Sequence, residues 1–150
     1  MSEYVGYFCT EKTFKNFNSY DVESFDVFRN FDILHRYYKK IVTNYTQSVE
    51  DLEKDFSRDV ADDGTWCEYI ISKNNDIIAR IVIWKVNDSS YEIAAVSTDP
   101  QYQKQGYATG IVSFCTQKIL NEGKTATCTT KADNIPMRKT LEKLGFILKN

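Results

Sequence analysis

The chain has 150 residues, 42% of them hydrophobic and 27% charged, which suits one soluble domain with a real core. A formal net charge of −2 and a pI near 5.5 argue against a phosphate polyanion such as DNA as the main partner, and no run of about 18 apolar residues is present to span a membrane. Cys9, Cys67, Cys115 and Cys128 form no C-x-x-C pair and stand near no histidine at metal-ligand spacing, and Met1–Gly6 is too polar for an export leader, so a cytoplasmic protein without a metal is expected.

In chain order, Tyr4–Thr10 reads as a short strand. From Asp32 the apolar residues Ile33, Leu34, Tyr37, Tyr38, Ile41, Val42 and Tyr45 fall at helical spacing along one stripe. Ser48 followed by Asp51 has the form of an N-terminal cap, with Val49, Leu52 and Phe56 on the inner face of a second helix. Trp66–Ser72 and Ile77–Val86, separated by the polar Lys73-Asn74-Asn75-Asp76, read as a hairpin. Tyr91–Thr98 is a third strand of this group, and it runs through a glycine-containing turn into a helix from Tyr107 to about Asn121, which Gly123 ends. Thr125–Lys131 is β-like, and Asn134–Leu144 is helical, with Pro136 in its first turn and Gly145 closing it ahead of Phe146. No repeat, low-complexity tract or linker interrupts this order, so residues 1–150 are expected to form a single α+β domain.

The turn between Thr98 and Tyr107 carries the strongest chemical signal. Gly106 and Ala108 leave backbone bare at a helix start, where main-chain N–H groups and the helix dipole hold an anion. Small residues at such a turn also serve sharp turning and close packing. A dinucleotide fingerprint would need G-x-G-x-x-G after the first strand, and a nucleotide-triphosphate loop would need G-x-x-x-x-G-K-[ST]; neither is present.

Gln103-x-x-Gly106-x-Ala108 matches the Q/R-x-x-G-x-G/A signature of the GNAT superfamily of acyl-CoA-dependent N-acyltransferases. Asn134-I-P-M-R-K-T-L-E-K-L-Gly145-Phe146, beginning 26 residues beyond Ala108, is similar to that family's second signature. The resemblance is strong over Glu92–Phe146 and weak over the first 60 residues. It implies a GNAT-like fold, a mixed central sheet flanked by helices, and acetyl-CoA as co-substrate with no metal. By this resemblance the N–H groups of Gln105, Gly106, Tyr107 and Ala108 converge on the diphosphate of coenzyme A, while Gln103 and Lys104 supply polar contacts at the rim. The family often has Arg where Gln103 stands, so a weaker charge contact is implied. Val96, Ser97 and Thr98 would lie beside the thioester and the pantetheine arm, with a main-chain N–H of Val96 or Thr98 polarising the acyl carbonyl. Asn134 would bond the same arm, serve as a helix cap, or do both.

An amine of pKa about 10.4 must lose a proton before it can attack. Glu92 is the candidate base: a glutamate here matches the base position of some family members, and strict alternation would put Glu92, Ala94, Val96 and Thr98 on one face. The competing reading is a solvent-facing carboxylate, and Asp99 is a second candidate. The family's usual acid, a tyrosine at the eighth position of the Asn-led signature, is replaced by Leu141. His35 falls in the region that forms acceptor walls in this family, though a surface or core-edge role is the simpler reading. Tyr37, Tyr38, Tyr45 and Trp66 read as core or cleft lining, and the cysteines as structural. The resemblance implies an N-acetyltransferase acting on a primary amine of a small molecule or a peptide. The alternative is a coenzyme A-binding regulatory or scaffold module that has lost its acid. The family fold commonly ends in two strands after Leu-Gly-Phe, whereas four residues follow Phe146 here. A final strand is therefore expected to be missing, leaving a sheet edge exposed or covered by a second copy of the chain.

Overall fold

The computed structural model of the chain describes residues 3–56 and 65–149. Its elements are β1 (Tyr4–Cys9), β2 (Glu23–Ser24), α1 (Phe31–Ile41), α2 (Val49–Glu53), β3 (Trp66–Lys73), β4 (Asp76–Asn87), β5 (Ser90–Thr98), α3 (Tyr107–Asn121), β6 (Thr125–Lys131), α4 (Ile135–Lys143) and β7 (Ile147–Leu148). The strands form one seven-stranded sheet in the order β2-β3-β4-β5-β6-β1-β7. Among the described residues only β5 and β6 run parallel, joined by the crossover helix α3; the other neighbours are antiparallel. The mixed sheet flanked by helices is the architecture that the resemblance implied.

The central strand β4 is an apolar run from Ile77 to Ile83, broken only by Arg80, because both of its faces are covered. One face packs Ile70 and Ile77 against Leu34, Tyr37 and Leu52 of α1 and α2. The other packs Ile81, Ile83 and Ile93 against Ile111, Cys115 and Ile119 of α3 and Leu141 of α4. Helix α1 stops earlier than the apolar stripe suggests. Val42 is extended and Asn44 takes φ +58°, so the chain turns back and brings Tyr45 edge-on to Tyr38 and His35, with ring centroids 5.7 and 5.6 Å apart. The cap reading at Ser48 agrees with the structure: its hydroxyl accepts from the Asp51 N–H at 3.1 Å, and Leu52 is buried.

Two features of the sheet depart from the sequence reading. The first is a bulge in β5. Val82 lies opposite Ala94 and Arg80 opposite Ser97, so one extra residue is inserted, and Ala95 there takes φ +54°. Alternation therefore breaks: Glu92 and Ala94 share a face with Ser97, not with Val96 and Thr98. The expected common face of Glu92, Ala94, Val96 and Thr98 is thereby corrected. The second is the closing edge. Only the two-residue β7 follows Leu-Gly-Phe, yet β6 is neither left bare nor in need of a second chain. β1 pairs with β6 from Tyr4↔Lys131 to Cys9↔Ala126, and with β7 on its other side. The chain's own N-terminal strand fills the place, which removes the reason for expecting a homodimer at that edge.

From β1 the chain must reach β2 at the opposite edge, and residues 10–22 make that crossing over α3 and the end of α4. Gly145 permits it: φ is +94°, and a Cβ there would stand 1.9 Å from the Thr13 carbonyl oxygen. Beneath α1, Arg80 and Glu68 form a buried ion pair with N–O distances of 2.6 and 2.7 Å. Trp66 Nε1 donates to the other carboxylate oxygen, and Arg80 donates to the Tyr38 hydroxyl.

Burial pushes the hydroxyls of Tyr37 and Tyr69 up to about 12. Between pH 10 and 12 the folded chain thus holds protons that an unfolded chain releases, so these residues support stability below that window and lose their contribution as pH rises through it. A phenolate absorbance titration should show them ionising after the exposed tyrosines, together with loss of secondary structure. Their ionisation with the bulk of the tyrosines near pH 10, in a chain still folded, would contradict the packing described.

Candidate functional site

The site begins where β5 and β6 part. They pair only from Ser90↔Thr125 to Ile93↔Cys128, while β5 continues to Thr98 and β6 to Lys131. The bulge at Ala95 bends β5 just past the last pair. Beyond it the β6-facing edge of Val96–Thr98 has no strand alongside, which leaves main-chain donors and acceptors along an opening. That opening joins a cleft of about 610 Å³ between the end of β5, the first turn of α3 and the first turns of α4.

The turn into α3 is built for exposure of its N–H groups. Asp99 is buried, accepts from the Gln101 N–H at 3.0 Å and pairs with Lys40 at 3.6 Å, fixing a tight turn over Pro100–Tyr102. These engagements leave Asp99 a structural cap and not a free base. Lys104 and Gly106 then both take positive φ, +64° and +88°, and Gly106 is the N-cap of α3 with no side-chain acceptor for the first-turn donors. Those donors and the positive end of a 15-residue helix face the cleft that Gly106, Tyr107 and Ala108 line.

Of the ten residues singled out for cofactor contact, Val96, Ser97, Thr98, Gln103, Lys104, Gly106, Tyr107, Ala108 and Asn134 line this one cleft. Gln105 does not; its side-chain amide lies toward the Gln101 carbonyl at 3.5 Å. Asn134 caps α4, its Oδ1 accepting from the Met137 N–H at 3.2 Å, and the cap leaves the amide nitrogen for other use. Ser97 is braced from behind by the Tyr37 hydroxyl at 2.8 Å. Tyr102, Met137 and Thr140 also line the cleft and escaped the sequence reading. Met137 and Thr140 stand three and six residues after Asn134, so the 3.6-residue period counted from that cap could have found them.

Glu92 is not part of this lining. It sits at the last rungs of the paired region, where its carboxylate accepts from the Thr127 hydroxyl and, at 3.0 Å, from the Thr129 N–H that the parted strand no longer satisfies. Leu141 is fully buried in the core on the α3 side of the sheet, so the position of the family's tyrosine offers no proton donor. His35 faces the Gln47 carbonyl at 2.8 Å and does not reach the cleft. All four cysteines are free thiols. Burial pushes Cys128 up to about 12 and raises Cys115 further, which makes both poor nucleophiles. Among the described residues no group of acidic, histidine or cysteine side chains is placed to hold a metal ion, and no helix is long and apolar enough to cross a membrane.

Comparison with known proteins agrees with this geometry. No curated protein matches the sequence. Solved structures share the fold at low identity: an acetyltransferase from the GNAT family of Colwellia psychrerythraea (TM-score 0.73, 12% identity, 99% of this chain and 54% of that one); a GCN5-related N-acetyltransferase of Sphaerobacter thermophilus (0.75, 9%, 99% and 49%); and the ribosomal-protein-S18-alanine N-acetyltransferase of Escherichia coli (0.65, 16%, 85% and 77%). The chain thus spans about half the length of the first two. The sequence model of the acetyltransferase (GNAT) family matches residues 27–146, which takes in α1 through Phe146 and leaves out β1 and the crossing segment. By that match over most of its length, the chain belongs to the GNAT acetyltransferase family.

Proposed function

We propose that the protein is an acetyl-CoA-dependent N-acetyltransferase that passes the acetyl group directly to a primary amine of a small molecule or a peptide. The observation that carries this reading is the single cleft that joins the parted β5–β6 edge to the uncapped start of α3. An extended arm fits beside the free edge of Val96–Thr98, and a diphosphate fits at the N–H groups of Gly106, Tyr107 and Ala108. The donor group, when bound, supplies an acyl carbon on a thioester. An N–H of Val96 or Thr98 polarises its carbonyl, Asn134 steadies the arm, and Gln103 and Lys104 meet the phosphates at the rim. The protein needs no metal for this chemistry.

Glu92 is the proposed base. Each of its oxygens accepts one hydrogen bond, and a carboxylate has about four acceptor positions, so a water can still bridge it to the amine. Proton delivery to the departing thiolate falls to solvent, because Leu141 has none to give. Orientation of amine against thioester then carries most of the rate, for which about 7 to 11 kcal/mol is available. A weakly acidic chain of free thiols suits a cytoplasmic protein, a cationic acceptor and no nucleic-acid partner. The β1 pairing supports treating residues 1–150 as one unit.

Leu141 favours one second reading, a module that binds coenzyme A and regulates without turnover. Thiol release with a panel of amines separates the two, since both bind acetyl-CoA. In the enzyme, Glu92→Gln should lower kcat about 100-fold, with the Kd for acetyl-CoA unchanged. Binding without thiol release from any amine would leave the regulatory reading standing.

A further inference from the structure

The crossing segment is fastened to the cofactor side of the molecule at successive points. Lys15 N–H donates to the Leu144 carbonyl at 2.9 Å, and Phe17 N–H donates to Ser113 Oγ at 3.0 Å. Ser113 in turn donates to Asn16 Oδ1 at 2.7 Å. Asn18 then locks the end of the segment, accepting from the Tyr20 N–H and donating to the Tyr20 carbonyl. Tyr20, so held, lays its ring on Tyr107 with centroids 4.2 Å apart, and its hydroxyl donates to the Gln105 carbonyl.

Tyr20 is not among the residues that line the cleft, so it grips the bend of residues 103–108 from outside it. A trans peptide points its C=O and the following N–H in opposite directions. Holding the Gln105 carbonyl against Tyr20 therefore turns the Gly106 N–H the other way, toward the cleft that Gly106 lines. Gly110 agrees independently. A glycine inside a helix is unfavourable by about 1 kcal/mol against alanine. Here a Cβ would come within 2.8 Å of Tyr20 Cδ2 and 3.1 Å of Asn18 Oδ1, so the helix forgoes that side chain to admit the crossing segment.

We propose that Tyr20 is a positioning residue for coenzyme A: it fixes the Gln105–Gly106 peptide in the orientation that presents the Gly106 N–H to the diphosphate. Tyr20 lies outside the family-matched residues 27–146, so the anion site is completed by a segment that the family's sequence model does not include. The inference rests on the coenzyme A reading above.

Calorimetric binding of acetyl-CoA, with steady-state kinetics, tests it on wild type, Tyr20→Phe and Gly110→Ala. Tyr20→Phe keeps the ring and removes only the donor. It should raise the Kd and KM for acetyl-CoA about tenfold, leaving kcat, the amine KM and the ligand-free Tm in place. Gly110→Ala should displace the ring and raise the same two constants, although alanine favours the helix. With acetyl-pantetheine, which lacks the diphosphate, Tyr20→Phe and wild type should have equal kcat/KM. Wild-type binding matched within about twofold by both variants would overturn the positioning role alone, as would kcat and both KM values shifting together. A wild-type chain that binds no acetyl-CoA would overturn the functional reading itself.

Discussion

Gly106→Asp should leave the fold intact and weaken acetyl-CoA binding about a thousandfold. Aspartate is among the best N-cap residues, and it tolerates the left-handed φ of +88° better than most side chains do. Among the described residues, the chain neighbours Gln105 and Tyr107 aside, the atoms within 4 Å of a Cβ there belong to Tyr20, the nearest at 3.7 Å, which is ordinary contact. Its carboxylate would satisfy the first-turn donors of α3 and place a negative charge at the proposed diphosphate site. Like charges about 4 Å apart near a protein surface repel by about 4 kcal/mol, which is roughly three decades in Kd. Calorimetry with acetyl-CoA, alongside thermal melts, measures both halves. Retained affinity in a folded variant would place the anion elsewhere.

Arg80→Met should destabilise the chain by about 3–5 kcal/mol, because it strands Glu68 as an unpaired buried charge beneath α1. The Tm should fall by roughly 10 °C for a chain of this size. Adding Glu68→Leu to Arg80→Met should recover much of the loss, since an apolar pair of similar volume replaces an ion pair whose desolvation offsets most of its attraction. Denaturant unfolding of the two single variants and the double variant gives the coupling. Equal losses that simply add would show that the pair is not coupled.

The half of the chain from Trp66 onward was legible because its signals are local. Alternation and turn residues marked the hairpin, caps marked α3 and α4, and two motifs marked the cleft, nine of whose ten named residues line it. What was missed depends on pairing between distant residues. The β5 bulge is invisible in composition, since Ala95 looks like any strand residue, yet it decides which side Ser97 faces. Strand β1 could be read as a strand, but not placed, because its partner lies more than a hundred residues away. Residues 10–22 have no period at all, and their order comes from side chains such as Asn16 and Ser113 meeting in space. The helical spacing overextends α1, since Tyr45 keeps that spacing after the backbone has turned at Val42.

The placement of β1 between β6 and β7 also bears on how the molecule is made. Tyr4–Cys9 leaves a ribosome more than a hundred residues ahead of Thr125–Lys131, so this strand waits for its partner. Closing so large a loop is entropically unfavourable, and topologies rich in such distant pairings fold slowly. Until β6 emerges, Tyr7 and Phe8 have no sheet to join, and an early-exposed apolar strand is an aggregation hazard. The cleft, whose lining runs on to Thr140 of α4, is therefore completed only after β6 has emerged.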